Sequence, residues 1–233
     1  MRHLKKLRLL SSSAILSAGI VAIGLSSSAL AGQATVALPS GELGATSYDP
    51  IRSSKLNTAT SLIYDRLVEQ DADQSFHPHL ATSWTESPDG MSWTFKLREG
   101  VKFHDGEVYN ADTLASWIPD IKDTENAYLV AAIKSVEVID PLTVKFVMER
   151  PEPNLLYNLA STFMGIPGQK SYDSLGKDYG VSTAIGTGPF KLTSFEIGLE
   201  TVVTRNDDYA WASGLSANQG AAHLEAITFR EIP

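Results

Sequence analysis

The chain has 233 residues, with 19 basic against 27 acidic side chains and no cysteine. Its acidic balance, and the lack of any basic patch interleaved with aromatics, argue against nucleic acid as a partner. Without cysteine there can be no disulfide, thiolate nucleophile, thiolate metal ligand or acylated N-terminal cysteine, so core packing alone must hold the fold.

Arg2, Lys5, Lys6 and Arg8 open the chain, the apolar run Leu16 to Leu25 follows, and Ala29-Leu30-Ala31 closes the segment in a small-x-small pattern. This is the order of a secretory signal peptide, with cleavage expected after Ala31. The apolar run is too short to cross a hydrocarbon core of ~30 Å. Four basic residues belong to this leader, so residues 32–233 hold 15 basic against 27 acidic side chains, a net charge of −12. The expectation is a soluble, exported, periplasmic protein.

Ala34 to Pro39 reads as a short strand, followed by a loop rich in glycine and small polar residues from Ser40 to Pro50. Leu56, Thr60, Ile63 and Leu67 fall at helical spacing and predict an amphipathic helix capped by Ser53 or Ser54. The stretch Phe76 to Gly90 shows little periodicity. Trp93, Phe95 and Leu97 then alternate with Thr94, Lys96 and Arg98, as in a half-buried antiparallel strand, and Val101 and Phe103 continue the pattern. Asn110 is placed to cap a helix with Asp112 in its first turn and Leu114, Trp117, Ile118 and Ile121 on its core face. Pro119 should end that helix near Ile118 or kink it.

A hairpin is expected from Ser135 to Met148 around the turn residues Asp140-Pro141, with Val144, Phe146 and Met148 on one face. Asn154 to Leu159 reads as a short helix, and Tyr172 to Thr183 as helix-poor. Strands follow at Phe190-Leu192, at Thr201 to Thr204 after a turn containing Gly198, and at Leu224 to Ile232.

His104-Asp105 is the most conspicuous candidate for chemistry. Neighbours on extended backbone point to opposite faces, so Asp105 is poorly placed to orient His104, and the pair with Gly106 reads as a structural turn. No G-x-S-x-G elbow supports a hydrolase. His77 and His79 could share a metal only if further ligands converged on them, and His223 is the one remaining distant histidine. They read as surface residues. Gly186 to Phe190 superficially resembles a phosphate loop, but Pro189 removes a donor, which leaves a tight connection into a strand. Trp84, Trp93, Trp117, Trp211 and the tyrosines could stack on a ligand, but core packing is the simpler reading for those in strands and helices. The loop after the first strand differs in kind: its small residues would let a ligand reach backbone groups, so Ser40, Gly41, Glu42, Leu43 and Gly44 are the candidate ligand contacts. No catalytic residue, cofactor or metal is expected.

These segments, taken in order, resemble the bacterial extracellular solute-binding proteins of family 5, the peptide/nickel class of receptors for ABC importers. The likeness is carried by SYDP, IYDRLVEQD, the block HPHLATSWTESPDGMSWTFKLREGVKFHDGEVYNADTL, GTGPFKL, TRNDDYAW and LEAITFREI. The resemblance implies an α/β fold: a type II periplasmic-binding-protein-like lobe with an inserted smaller α+β domain. The first lobe would be split between residues 32–68 and 166–233, with residues 69–165 as the insert and signal peptide 1–31 removed. It also implies a peptide or small-molecule solute, an inner-membrane ABC permease complex as partner, a monomer and no catalysis. Pro119 and the displacement of the tryptophan after Tyr209 to Trp211 depart from the family pattern. The family is about twice as long, so the closing lobe is expected to be absent and the chain to be a fragment. Two other readings compete: a non-binding truncated relic or interaction module, and an exported hydrolase using His104.

Overall fold

The computed structural model describes residues 32–39 and 47–232, so the expected leader and the candidate loop Ser40 to Gly44 lie outside the described residues. The first strand, β1 (Gln33–Pro39), forms where its alternation places it. The helix expected between Ser53 and Leu67 contracts to one turn, α1 (Thr60–Ile63), and neither serine caps it. Upstream, Asn57 Oδ1 accepts the Ala59 N–H at 3.0 Å, a local bond that competes with helix. Downstream, the Ile63 carbonyl accepts the Gly188 N–H at 2.9 Å, and Tyr64 turns extended at φ −121°, ψ 128°.

β2 (Val68–Gln70) pairs with β3 (Phe76–Pro78), and β4 (Ala81–Glu86) follows, both β3 and β4 in the stretch that shows little periodicity. β4 is an edge strand exposed on both faces for most of its length, so burial imprinted no alternation on it. β5 (Ser92–Leu97) does alternate, and Trp93, Phe95 and Leu97 are buried.

Asn110 caps α2 (Ala111–Lys122) in a capping box with Thr113, and Leu114, Trp117, Ile118 and Ile121 are all buried. The helix runs on through Pro119 to Lys122, so of the two expectations the ending near Ile118 does not hold. The Pro119 ring faces solvent while Ile118 and Ile121 on either side are pulled into the core, and that burial offsets the lost hydrogen bond. β6 (Ile133–Asp140) and β7 (Thr143–Met148) make the expected hairpin, in which Asp140 Oδ1 accepts the Leu142 N–H. The four strands form an antiparallel sheet in the order β4-β5-β7-β6, with α2 packed on β6 and β7.

α3 (Leu155–Leu159) matches expectation. α4 (Gln169–Leu175) corrects the helix-poor reading from Tyr172, because its one buried side chain, Tyr172, leaves no periodicity to detect. β8 (Phe190–Glu196) and β9 (Glu200–Arg205) turn back on each other through Gly198 at φ 70°. β10 (Ala226–Ile232) lies between β9 and β1, giving a second sheet in the order β1-β10-β9-β8. β1 runs parallel to β10 and the other neighbours are antiparallel.

The connection Gly186-Thr187-Gly188 is packed directly onto α1. A Cβ on Gly186 would sit 2.0 Å from the Ile63 carbonyl oxygen, and one on Gly188 2.4 Å from that of Leu62. His104 clasps the same connection from the other side. Its backbone N–H donates to the Gly186 carbonyl at 2.9 Å, its Nδ1 accepts the Gly186 N–H at 3.3 Å, and its Nε2–H donates to the Gly188 carbonyl at 3.0 Å. These bonds need the neutral ring. Burial lowers the His104 pKa from 6.5 to about 4, despite the opposing bond to Gly188.

Gly186→Ala should destabilise the protein by more than about 4 kcal/mol or prevent folding, whereas Gly214→Ala, in open space, should cost under about 1 kcal/mol; chemical denaturation of both variants checks this. For His104, the unfolded chain takes up a proton below pH 6.5 and the folded chain only near pH 4, so stability is lost as pH falls through that window. The loss should reach up to about 3 kcal/mol. His104→Gln should abolish this portion of the pH dependence in denaturation curves at pH 7.5, 5.5 and 4.5; equal slopes for both proteins would refute the assignment.

Candidate functional site

Two cavities meet at Thr162 and Phe163. The first, about 440 Å³, is lined by Leu38 near the end of β1 and by Lys55, Leu56, Asn57, Thr58 and Ser61 leading into α1. It therefore lies at the carboxyl end of β1, which in open α/β sheets is where ligands are taken up. Asn57 is held in place there: its Nδ2 donates to the Tyr48 hydroxyl at 3.0 Å, and that hydroxyl is also 2.7 Å from Thr201 Oγ1 on β9. Lys55 brings a cation to the wall, and the other polar groups are hydroxyls and one amide.

The second cavity, about 510 Å³, is framed by Tyr128, Leu129, Tyr157, Asn158 and Gln70. Tyr128 is 63% exposed and Tyr157 60%. Large aromatic side chains usually bury their rings, so two exposed ones on a single concavity are a departure that ligand contact would explain. Neither is on a loose segment. Asn126 Nδ2 donates to the Ile51 carbonyl at 3.0 Å and fixes the 3-10 turn Ala127–Leu129. Asn158 Nδ2 donates to the Leu129 carbonyl at 3.2 Å and ties α3 to that turn. The two cavities thus combine aromatic faces with a cation and hydroxyls, which suits non-covalent recognition.

The residues singled out from sequence are scattered. Asp105 turns away from His104: Oδ1 accepts the Glu107 N–H and Oδ2 the Ser171 hydroxyl, at 3.0 and 2.8 Å. His77 Nε2 is 2.8 Å from Ser75 Oγ, and His223 is exposed. His79 corrects the surface reading: it is 4% exposed, with Nε2 3.2 Å from Asp65 Oδ1. Among the described residues no group of three or more histidine, aspartate or glutamate side chains is arranged to hold a metal ion, and no helix is long and apolar enough to cross a membrane. Trp93, Trp117 and Trp211 are buried and Trp84 is partly buried. The reading of the tyrosines as core fails at Tyr128 and Tyr157, and sequence does not single out Thr162, since exposure is not revealed by sequence spacing.

Residues 75–233 match the family described as bacterial extracellular solute-binding proteins, family 5 middle. The chain is 30% identical over 224 residues to the glutathione-binding protein GsiB of Escherichia coli K12, covering 92% of this chain and 42% of that protein. NikA from Brucella suis, solved in complex with Fe(III)-EDTA, superposes with a TM-score of 0.73 at 33% identity, over 87% of this chain and 40% of NikA. DppA from Helicobacter pylori, solved in complex with the peptide STSA, gives a TM-score of 0.70 at 29% identity, over 87% and 43% of the two chains. The chain spans less than half the length of each of these relatives. The architecture is that of a type II periplasmic-binding-protein lobe, and family and fold are those of non-catalytic solute-binding proteins. The chain belongs to the bacterial extracellular solute-binding proteins of family 5.

Proposed function

We propose that this chain forms one wall of a periplasmic receptor that delivers peptide-like or metal-chelate-like solutes to an inner-membrane ABC permease. The observation that carries the reading is the double cavity joined at Thr162-Phe163, with Tyr128 and Tyr157 on one side and Lys55 on the other. Tyrosine faces suit the apolar or planar parts of such a solute, and the lysine suits a carboxylate. Relatives named for glutathione, for a bound peptide and for a bound iron chelate support that solute class. The loop Ser40 to Gly44 belongs to the same reading, because in sequence it follows Pro39, the last residue of β1, next to Leu38, which lines the first cavity.

The reading includes export with cleavage after Ala31 and action as a monomer. It also divides the chain into a first lobe of residues 32–68 and 166–233, holding β1 and β8 to β10, and an insert of residues 69–165, holding β3 to β7. Bound solute would be enclosed by an opposing surface, and closure would be favoured by whatever affinity the closed form adds.

Saturation-transfer NMR on the purified chain, with panels of short peptides, glutathione, opines and metal chelates, tests the reading. At least one class should bind with a Kd in the millimolar to high-micromolar range. Tyr128→Ala and Tyr157→Ala should each weaken it at least threefold without changing the unfolding midpoint. Silence across the panel would favour an interaction module without a ligand of its own, and binding indifferent to both tyrosines would move the site elsewhere.

A further inference from the structure

The two cavities touch at Thr162 and Phe163, and beneath the surface one side chain joins their walls a second time. Asn126 is 4% exposed, and its Nδ2 carries two hydrogens. One goes to the Ile51 carbonyl at 3.0 Å and the other to the Ser53 carbonyl at 3.4 Å, across 75 and 73 residues of sequence. Both acceptors lie on the segment that carries the cation of the first cavity. Ser53 stands two residues before Lys55, and Asn126 stands two residues before Tyr128. The amide is therefore close along the backbone to the lysine of one cavity and to an exposed ring of the other.

Both ends of this link are held stiffly. On the Lys55 side, Asp49 Oδ1 accepts the Ile51 and Arg52 N–H groups at 3.0 and 3.1 Å. The Ser53 hydroxyl donates to the Ser47 carbonyl at 3.1 Å, and Arg52 Nη1 donates to the Gly176 carbonyl at 2.7 Å. On the Tyr128 side, Thr124 Oγ1 accepts the Asn126 N–H at 3.1 Å, and the Asn126 carbonyl accepts the Leu129 N–H at 3.0 Å. Thr124 in turn donates to the Ile121 carbonyl in the last turn of α2 at 2.8 Å. A displacement of the Tyr128 turn is thus passed on to Ile51 and Ser53, or it leaves their carbonyls without this donor, which is costly in a buried setting.

We infer that Asn126 is a positioning residue that couples the two cavities, so that one solute engages Tyr128 and Lys55 interdependently. Contact with the ring restrains the turn, the restrained amide fixes the Ser53 carbonyl, and Lys55 is then presented to a carboxylate in one position. The inference rests on the solute reading of the double cavity.

The test is a double-mutant cycle of Lys55→Met and Tyr128→Ala, run in the unsubstituted chain and again with Asn126→Leu. Saturation-transfer NMR gives the Kd of two probes, the tetrapeptide Phe-Ala-Ala-Ala and glutathione. In the unsubstituted chain the two fold-losses should depart from a simple product by about threefold or more, and with Asn126→Leu they should multiply to within about 1.5-fold. A side chain that served stability alone would change the folded fraction and leave that factor where it was. Without any solute, Asn126→Leu should speed amide exchange at both Ser53 and Leu129 by about tenfold or more, while Phe95 in β5 keeps its rate. Thr124→Val removes the acceptor of the Asn126 N–H and should lower the coupling factor in the same direction, which keeps the test decisive if Asn126→Leu unfolds. A factor that survives these substitutions, simple multiplication in the unsubstituted chain, or faster exchange at only one of the two amides would overturn the inference. Silence of the unsubstituted chain toward both probes would remove the peptide-solute reading, and the inference with it.

Discussion

The buried carboxylate of Asp65 is the constraint around which the rest is arranged. Alone in the core, its charge would cost several kcal/mol. Here Oδ2 accepts the Thr187 hydroxyl at 2.9 Å and the Trp211 indole N–H at 3.0 Å, while Oδ1 accepts from Tyr209 at 3.3 Å and faces His79. Burial pushes its pKa up, but the His79 interaction and the hydrogen bonds outweigh burial and leave it below the ordinary carboxylate value. The group therefore stays charged, and three segments far apart in sequence must stay in place to keep it so. That requirement explains why the chain abandons helix at Tyr64, where continued helical backbone would carry Asp65 around to another face.

The Gly186 to Gly188 connection follows from the same demand. Thr187 can reach Asp65 only if the backbone on both sides presses against Ile63 and Leu62, which leaves no space for a side chain at either glycine. The carbonyls of that connection then need donors, and His104 and Asn206 Nδ2 supply them at the Gly188 oxygen. The histidine that looks catalytic in sequence is thus used up by backbone satisfaction. Its neighbour Asp105, facing the other way, anchors the turn and the start of α4 through Ser171.

What was legible in sequence divides along the same physical line. β5, β7 and the core face of α2 each bury one face, so their side-chain period was written directly into the residues. The capping of α2 by Asn110 was equally local. β4 and the α1 region were not legible, for opposite reasons: β4 is exposed on both faces, and α1 carries a helical apolar spacing that a buried carboxylate overrides. Pro119 misled because the cost of proline is local whereas the burial of Ile121 is tertiary. The family likeness was legible throughout, but the site was not. The small-residue loop proposed from sequence lies outside the described residues, and Tyr128 and Tyr157 have no local pattern to set them apart from core aromatics.

The magnitudes limit what such a wall can achieve. A tyrosine buries roughly 200 Å², so with about 60% of each ring exposed, covering both would contribute about 6 kcal/mol at ~25 cal/mol per Å². Association itself costs about 4 kcal/mol or more. The surplus corresponds to weak binding, well short of the −8.2 kcal/mol of a micromolar complex. Groups near Lys55 can add to this only modestly while water competes for them. High affinity on these cavities therefore requires a second surface that covers the tyrosines from the far side and excludes water from the polar contacts. On this reasoning the described wall orients a solute and selects its class, while tight retention depends on what closes over it.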